Sequence, residues 1–471
     1  MKTIIIIGAG PAGLGAGYEL TKNLKNDYQI IIFEKENQVG GIAKTIEYNG
    51  YRFDLGGHRF FSKNDEIMNL WKNVLKEKFI KVKRLSRIYY KGKFYFYPIK
   101  PFNALLNLGL QESISIMLSW MKTKIKPKYP EISFEDWISN RFGKRLYEIF
   151  FKTYTEKVWG IPCRKISSDW AAQRIKGLSL LSLLKSSIFR QKKQKIKTLI
   201  EEFYYPELGP GMMWETFAKI IEENHGKVEI NSSVEKIFLE GKRIKAIEVK
   251  NLITNSYKVI ECEHLISSMP LREFIEKLVP SPNKQIIESA KSLNYRSFIV
   301  VGLIVNKKDI FPDNWIYIHS PEVLVGRIQN FKNWSKKMVQ DINKTCLGLE
   351  YFCSEGDKFW LKPSAEVINI AKKELEILGF AKINEIEDGK VIKVEKAYPV
   401  YDENYKENVN KIREYLNSIS NLQVIGRNGM HKYNNQDHSM ITGILAARNI
   451  LGESYDLWRV NVDAEYLEEI K

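Results

Sequence analysis

Cysteine is scarce, with four residues in a chain of 471. Cys163, Cys262, Cys346 and Cys353 show no metal-ligand spacing. If Cys346 and Cys353 share one strand, their ends lie about 23 Å apart at roughly 3.3 Å per residue, which excludes a disulfide between them. The expectation is a cytoplasmic protein. Long apolar runs are also lacking, since nothing approaches the roughly 20 residues needed to span a bilayer. The longest candidate, residues 104–121, carries Glu112 and several serines and reads as an amphipathic or buried helix. Lys2 ahead of residues 4–7 imitates a secretory leader, but the apolar run is short and meets glycines at once, so a strand is expected. No Ser, Cys or His nucleophile with triad partners is evident. A formal net charge of +17 calls for anionic partners, yet no nucleic-acid recognition motif accompanies it. The densest basic run, Lys185, Arg190, Lys192, Lys193, Lys195 and Lys197, reads as a solvated face, with peripheral contact to an acidic membrane surface as the weaker alternative.

What is present points to a globular chain of two or three domains, with 44% hydrophobic and 27% charged residues. Its first forty-odd residues organise the rest. Residues 4–7 are all Ile, fit for a strand buried on both faces, and they break into Gly8, Gly10 and Gly13 before a helical pattern. In such a strand–turn–helix, Gly8 makes the turn, Gly10 admits a pyrophosphate, and Gly13 lets the helix pack closely. The helix N-terminus offers free amides and partial positive charge to phosphates. A second run, residues 30–33, ends in Glu34, where a carboxylate accepts hydrogen bonds from a ribose. No second G-x-G-x-x-G occurs, so a nicotinamide donor has no Rossmann site of its own.

Along the chain, residues 66–75 read as helical and residues 87–97 as a hairpin turning at Lys91 and Gly92. Helical patterns dominate residues 102–200, broken near residues 127–130 and 161–168. Trp170 and Arg174 would share one helix face. Residues 228–230 and 243–249 read as a pair of strands, with residues 265–270 a further one ending near the nucleotide. From residue 298 to 401, runs such as SFIVVGLIV and CLGLEYFC, joined by loops, read as an antiparallel sheet flooring a substrate site, partly covered by a helix over 365–378. Arg327 lies mid-sheet, where a charge faces either a ligand or a salt-bridge partner across the sheet. Residues 424–426 close like a strand, and residues 437–450 form a helix capped by Asp437 or Ser439. His431 and Lys432 read as surface residues.

Several wordings carry a family resemblance. QVGGIAKT and YRFDLGGHRFFSK, with Gly40, Gly41, Gly56, Gly57 and His58, resemble the amino-terminal signature of FAD enzymes related to amine oxidases, protoporphyrinogen oxidase and UDP-galactopyranose mutase. K-V-W, eleven residues to Trp170 and four to Arg174, resembles the eukaryotic-type mutases, and GRNGMHKYNNQDHS resembles their carboxy-terminal motif. The resemblance implies an α/β fold with an FAD-binding Rossmann-like domain of the glutathione-reductase type, discontinuous over residues 1–65, 203–272 and 415–471. An antiparallel-sheet substrate domain would take residues 85–101 and 273–414, and a helical insertion residues 66–84 and 102–202.

It also implies site roles. Gly8, Gly10, Pro11, Ala12, Gly13, Glu34, Lys35, Gly40, Gly41, Gly57, His58, Gly426, Asp437, Ser439 and Met440 would hold FAD. His58 would sit beside the flavin ring, with Arg327 and Arg427 gripping a substrate diphosphate. Trp159, Trp170, Arg174, Tyr317, Tyr398, Tyr433 and Asn435 would complete the substrate site. The implied activity is a nucleotide-sugar pyranose/furanose mutase of surface polysaccharide biosynthesis, with N5 of reduced FAD as nucleophile at the anomeric carbon, no net redox change, and NADH or NADPH as transient reductant. The alternative is an FAD-dependent oxidoreductase resembling amine oxidases or protoporphyrinogen oxidase. Arg59, Asn428 and His431 depart from the mutase wording and are shared with relatives described only as FAD-dependent oxidoreductases.

Overall fold

A computed structural model describes residues 2–24, 28–97, 99, 101–168, 171 and 201–461. At its centre β1 (Lys2–Ile7) lies between β2 (Tyr28–Phe33) and β13 (His264–Ser267), with β9 (Lys227–Glu229) and β20 (Leu422–Val424) at the edges, all pairs parallel. The β1 isoleucines explain the arrangement. Ile4 and Ile6 enter one core while Ile5 and Ile7 enter another, so alternate side chains leave water on opposite faces. On the first face pack α1 (Pro11–Asn23), α7 (Gly211–Glu223) and α9 (Gln436–Ile450), together with α2 (Asp65–Leu75), whose Trp71 stacks on Phe60 at 3.8 Å between centroids. Against the second face lies a sheet ordered β12 (Tyr257–Glu261), β11 (Arg243–Asn251), β10 (Ser232–Glu240) and β14 (Leu278–Val279).

This differs from the sequence reading in one respect. The strands expected to pair, β9 and β11, sit in different sheets, because β9 extends the parallel sheet beside β2 while β11 pairs with β10. Packing also joins the expected domains. Ile67 and Trp71, assigned to the helical insertion, and Leu278, Ile286, Ile412 and Leu416, assigned to the substrate domain, all bury their side chains in the nucleotide unit's cores.

The second sheet has seven strands in the order β19 (Ile386–Pro399), β15 (Tyr295–Val305), β18 (Thr345–Cys353), β17 (Arg327–Asn330), β16 (Trp315–Ile318), β6 (Ser86–Tyr90) and β7 (Lys93–Phe96). It is antiparallel except where β16 meets β6 in parallel, so the sheet is mixed. The β6–β7 hairpin turns at Lys91 and Gly92, both at positive φ, as a two-residue turn matched to strand twist demands. Cys346 and Cys353 occupy β18, and all four cysteines are free and buried. Helix α8 (Ser364–Ile377) covers the sheet's outer face. The helical layer comprises α3 (Pro101–Leu108), α4 (Leu110–Ile125), α5 (Phe134–Phe142) and α6 (Thr153–Trp159), the last preceded by a π-helical turn over Glu148–Lys152. Trp170, Arg174 and the basic run from Lys185 to Lys197 lie outside the described residues. Among the described residues no helix is long and apolar enough to cross a membrane.

The units are tied together at Asp54. The hairpin of β3 (Thr45–Tyr48) and β4 (Tyr51–Asp54) meets the ribbon of β5 (Phe79–Lys83) and β8 (Glu202–Pro206), and the hydroxyls of Thr45 and Tyr205 both donate to the fully buried Asp54 carboxylate. Thr45 Oγ1 in turn accepts the Gly211 amide at the start of α7. Burial pushes Asp54 up to about 7, against the two hydroxyl donors that pull it down. An acid whose folded pKa is raised keeps its proton longer in the native state, so its contribution to stability falls as pH rises from the unfolded value towards about 7. Asp54→Asn removes that dependence. Relative to the parent, the variant's unfolding free energy should improve by on the order of 3 kcal/mol between pH 4 and 7.5, read by urea denaturation at both pH values.

Candidate functional site

One cavity of about 1090 Å³ runs from the β1–α1 turn to the seven-stranded sheet and the helical layer. Ligand pockets are commonly about 300–1,000 Å³, so this space lies at the large end of that range. At one end Gly8 turns the chain at φ +94, with its amide donating to Phe33 O at 2.8 Å and Ser268 packed where a β-carbon would stand. The Ala9 amide donates to Glu34 Oε2 at 2.7 Å and the Glu36 amide to Oε1 at 3.0 Å, which orients the Glu34 carboxylate beside the turn. Burial raises the Glu34 pKa, and those two amides oppose the shift.

Helix α1 starts here with Gly10 at its N-cap, no side-chain cap, and Pro11 in its first turn. Its first amides, lacking intrahelical partners, make an anion site of the kind that holds a pyrophosphate. Gly41 approaches so closely that a β-carbon on it would lie 3.3 Å from the Gly10 Cα. The open cleft along Gly8, Gly10, Glu34 and Gly41 therefore suits the phosphates and ribose of a dinucleotide such as FAD.

Beyond the turn stands His58. Its Nε2 lies 2.9 Å from Leu55 O, and since a carbonyl only accepts, the neutral ring carries its proton on Nε2 and leaves Nδ1 as an acceptor. Burial pushes its pKa down to about 4, so the ring is uncharged at neutral pH. Arg327 projects into the same cavity from the central strand of the mixed sheet. It is also ion-paired across that sheet. Glu350 is its register partner on β18, fully buried, and accepts from Arg327 Nε at 2.9 Å and from Nη2, while Gln329 Nε2 donates to Glu350 Oε1 at 2.8 Å. Arg327 thus lines the cavity with its charge balanced across the sheet.

Arg427 has a different setting. Its Nε donates to Ala397 O at 2.8 Å and Nη1 to Asn434 O at 3.1 Å, and the guanidinium sits 3.9 Å over the Tyr433 ring and 5.0 Å from that of Tyr398. Carbonyls and ring faces fix its plane without cancelling its charge. Among the described residues, no carboxylate pairs with it. The distal end is aromatic. Tyr154 stacks on His319 at 5.0 Å and meets Tyr317 edge-on at 5.4 Å, and Tyr317 contacts Tyr97 at 5.1 Å. Lys157 Nζ donates to Ser320 O at 2.8 Å, holding α6 to the loop that precedes β17, and burial lowers its pKa to about 8.

The cavity thus brings together Gly8, Gly10, Pro11, Ala12, Glu34, Lys35, Gly41, Gly57, His58, Gly426 and Ser439 with Trp159, Tyr317, Arg327, Tyr398, Arg427, Tyr433 and Asn435. Gly13, Gly40, Asp437 and Met440 stand behind the lining. A β-carbon on Gly13 would lie 1.8 Å from Gly8 O, the Gly40 amide donates to Ala9 O, Asp437 is buried beside His438, and Met440 Sδ accepts from Trp71 Nε1. The cap of α9 is Asn435, whose amide donates to His438 Nδ1, not Asp437 or Ser439, which lie inside the helix. His431 and Lys432 are not surface residues: His431 is buried against Val400 O, and Lys432 reaches the carbonyls of Trp458 and Val460. Sequence reasoning missed Glu350, Gln329, Tyr154 and His319. Glu350 had a signal, a lone acid inside the apolar run CLGLEYFC.

Residues 6–74 match the family model described as an NAD(P)-binding Rossmann-like domain. The chain is 24% identical over 289 residues to the 4,4'-diapophytoene desaturase (4,4'-diapolycopene-forming) of Methylomonas sp, covering 53% of this chain and 51% of that protein. It is likewise 24% identical over 270 residues to the coproporphyrinogen III oxidase of Staphylococcus aureus, covering 52% of this chain and 57% of the oxidase. These alignments span little more than half the length of the curated relatives. Among solved structures, reduced UDP-galactopyranose mutase superposes with a TM-score of 0.82 at 21% identity over 98% of both chains. The chain therefore has an α/β fold built on a discontinuous Rossmann-type dinucleotide-binding unit, the architecture of that mutase structure.

Proposed function

We propose that this protein is an FAD-dependent mutase interconverting the pyranose and furanose forms of a nucleotide-diphosphate sugar for surface polysaccharide. The observation that carries the proposal is that Arg427 and Arg327 line one cavity with His58, continuous with the uncapped N-terminus of α1. FAD would lie along Gly8, Gly10, Glu34 and Gly41, and in its reduced form it would supply the nucleophile for the anomeric carbon with no net redox change. The chain's own residues then have three tasks. Arg427, unpaired with any described acid and held planar over Tyr433, presents its Nη2 end to a diphosphate and stabilises that group as it departs and returns. Arg327, held by Glu350, adds directed donors but little net charge. Tyr317, Tyr398 and Tyr433 exclude water and offer hydroxyls, burial keeping the Tyr398 hydroxyl protonated well above the usual range.

Reduction of the purified holoprotein by dithionite, followed by titration with UDP, TDP and GDP sugars, tests this. A flavin spectral shift with one nucleotide class and turnover only in the reduced state are expected. Arg427→Ala should lower kcat/KM by about 10²–10³. Unchanged turnover and affinity in that variant would remove the proposal. Because His58 stays neutral down to about pH 4, its titration should leave no break near pH 6.5 in the rate profile of the parent protein.

A second reading rests on the Arg327–Glu350 pair and the apolar end lined by Ile99, Phe134, Phe150 and Phe151. Such a site suits an apolar substrate, as the name of the desaturase relative implies for that protein, and the chain would then be an oxidoreductase. The two readings differ in stoichiometry. Acceptor consumed one for one with product would establish oxidation, whereas product formed without acceptor consumption would establish isomerisation.

A further inference from the structure

Helix α4 carries an apolar stripe that the described residues leave exposed. Leu110, Ile114, Met117, Leu118, Met121 and Ile125 are all exposed, Leu110 at 79% and Ile125 at 81% of their full surface. At about 100° per residue they fall within an arc of roughly 100°, one face of a helix about 22 Å long. The opposite side is spoken for, because Ser113 and Ile116 are buried and Trp120 packs against the core of the helical layer. Leu106 on α3 and Ile132 after α4 add exposed apolar surface at either end. Contiguous apolar patches of this kind on a folded chain mark an interaction site.

Charge identifies the occupant. Lys122 and Lys124 flank the stripe on its two sides, and Lys126 and Lys128 follow the helix, all four exposed. Lys128 pairs with Asp136, but among the described residues no acid pairs with Lys122, Lys124 or Lys126. The helix's own acid, Glu112, is held by Arg145 through two hydrogen bonds and is not available to another molecule. An apolar face rimmed by cations, with its acid neutralised, is the pattern of a helix lying in the headgroup region of an anionic bilayer. The helical layer also reaches the cavity, where Tyr97 and Ile99, just before α3, and Phe134, at the start of α5, form part of the lining.

We infer that α4 docks the protein on an anionic lipid surface, its apolar stripe among the acyl chains and Lys122 and Lys124 against the phosphates. The inference is independent of which substrate the cavity takes. Flotation of the holoprotein with vesicles of phosphatidylcholine containing about 30% phosphatidylglycerol, against phosphatidylcholine alone, is the test. Binding to the anionic vesicles is expected. Leu118→Glu with Met121→Glu should lower it at least tenfold, and Lys122→Gln with Lys124→Gln about 25-fold, with flavin content and Tm unchanged because all four side chains are exposed. Absence of binding by the parent protein, or binding unaffected by both double variants, would overturn the inference. So would a parent that fails to float yet sediments as a dimer which Leu118→Glu with Met121→Glu makes monomeric, since the face would then belong to a second copy.

Discussion

The structure depends on one close approach of backbone to backbone. A β-carbon on Gly13 would lie 1.8 Å from Gly8 O, and one on Gly443 would lie 1.9 Å from Ala12 O. Helix α1 is therefore wedged between the turn that leaves β1 and helix α9, without a side chain at either crossing. This wedge sets where the first amides of α1 point, and it brings the chain following β20, with Gly426 and Arg427, to the same cleft. Segments more than four hundred residues apart in sequence share a site because two glycines allow contact that any other residue would prevent.

Where the signal was local, the sequence was readable. Four isoleucines before a glycine turn can only be a strand buried on both faces, and Lys91–Gly92 between alternating aromatics can only be a tight hairpin. Partnership across the fold was harder. Residues 228–230 and 243–249 are both β-rich, but which strand each joins depends on β10 between them and on the exposed edge of β2, and neither is written in their own composition. His431 and Lys432 look solvent-bound by residue type, yet the carbonyls of Val400, Trp458 and Val460 bury them. The cap of α9 passed to Asn435 because the polar run Asn434–Ser439 offers several residues able to cap, and the extended backbone at Asn435 places it there.

The site shows the same division. Arg327 stood out as a charge in a strand and Arg427 through the resemblance of its motif, and both line the cavity. Their inequality was not legible, because it depends on Glu350, whose position opposite Arg327 follows from strand register and not from sequence distance. A buried ion pair contributes little net stability, and breaking it by removing one partner costs about 3–5 kcal/mol. Glu350 thus fixes the Arg327 guanidinium in place while subtracting its charge.

That subtraction bears on what the cavity can hold. With His58 neutral and Arg327 balanced by Glu350, Arg427 and Arg59 are the other guanidinium groups that line the cavity. A diphosphate bearing two charges would draw on more than one cationic group along that wall. The amides at the N-terminus of α9 supply a partial charge, since Asn435, Gln436 and Ser439 line the same wall. Lys157, with its pKa lowered to about 8, retains most of its charge at neutral pH, yet it is turned towards Ser320 and Val325 and serves the loop more than the ligand. Under the proposed mutase reading, a cavity so arranged would hold an anionic leaving group moderately, strongly enough to stabilise its departure and weakly enough to release it after turnover.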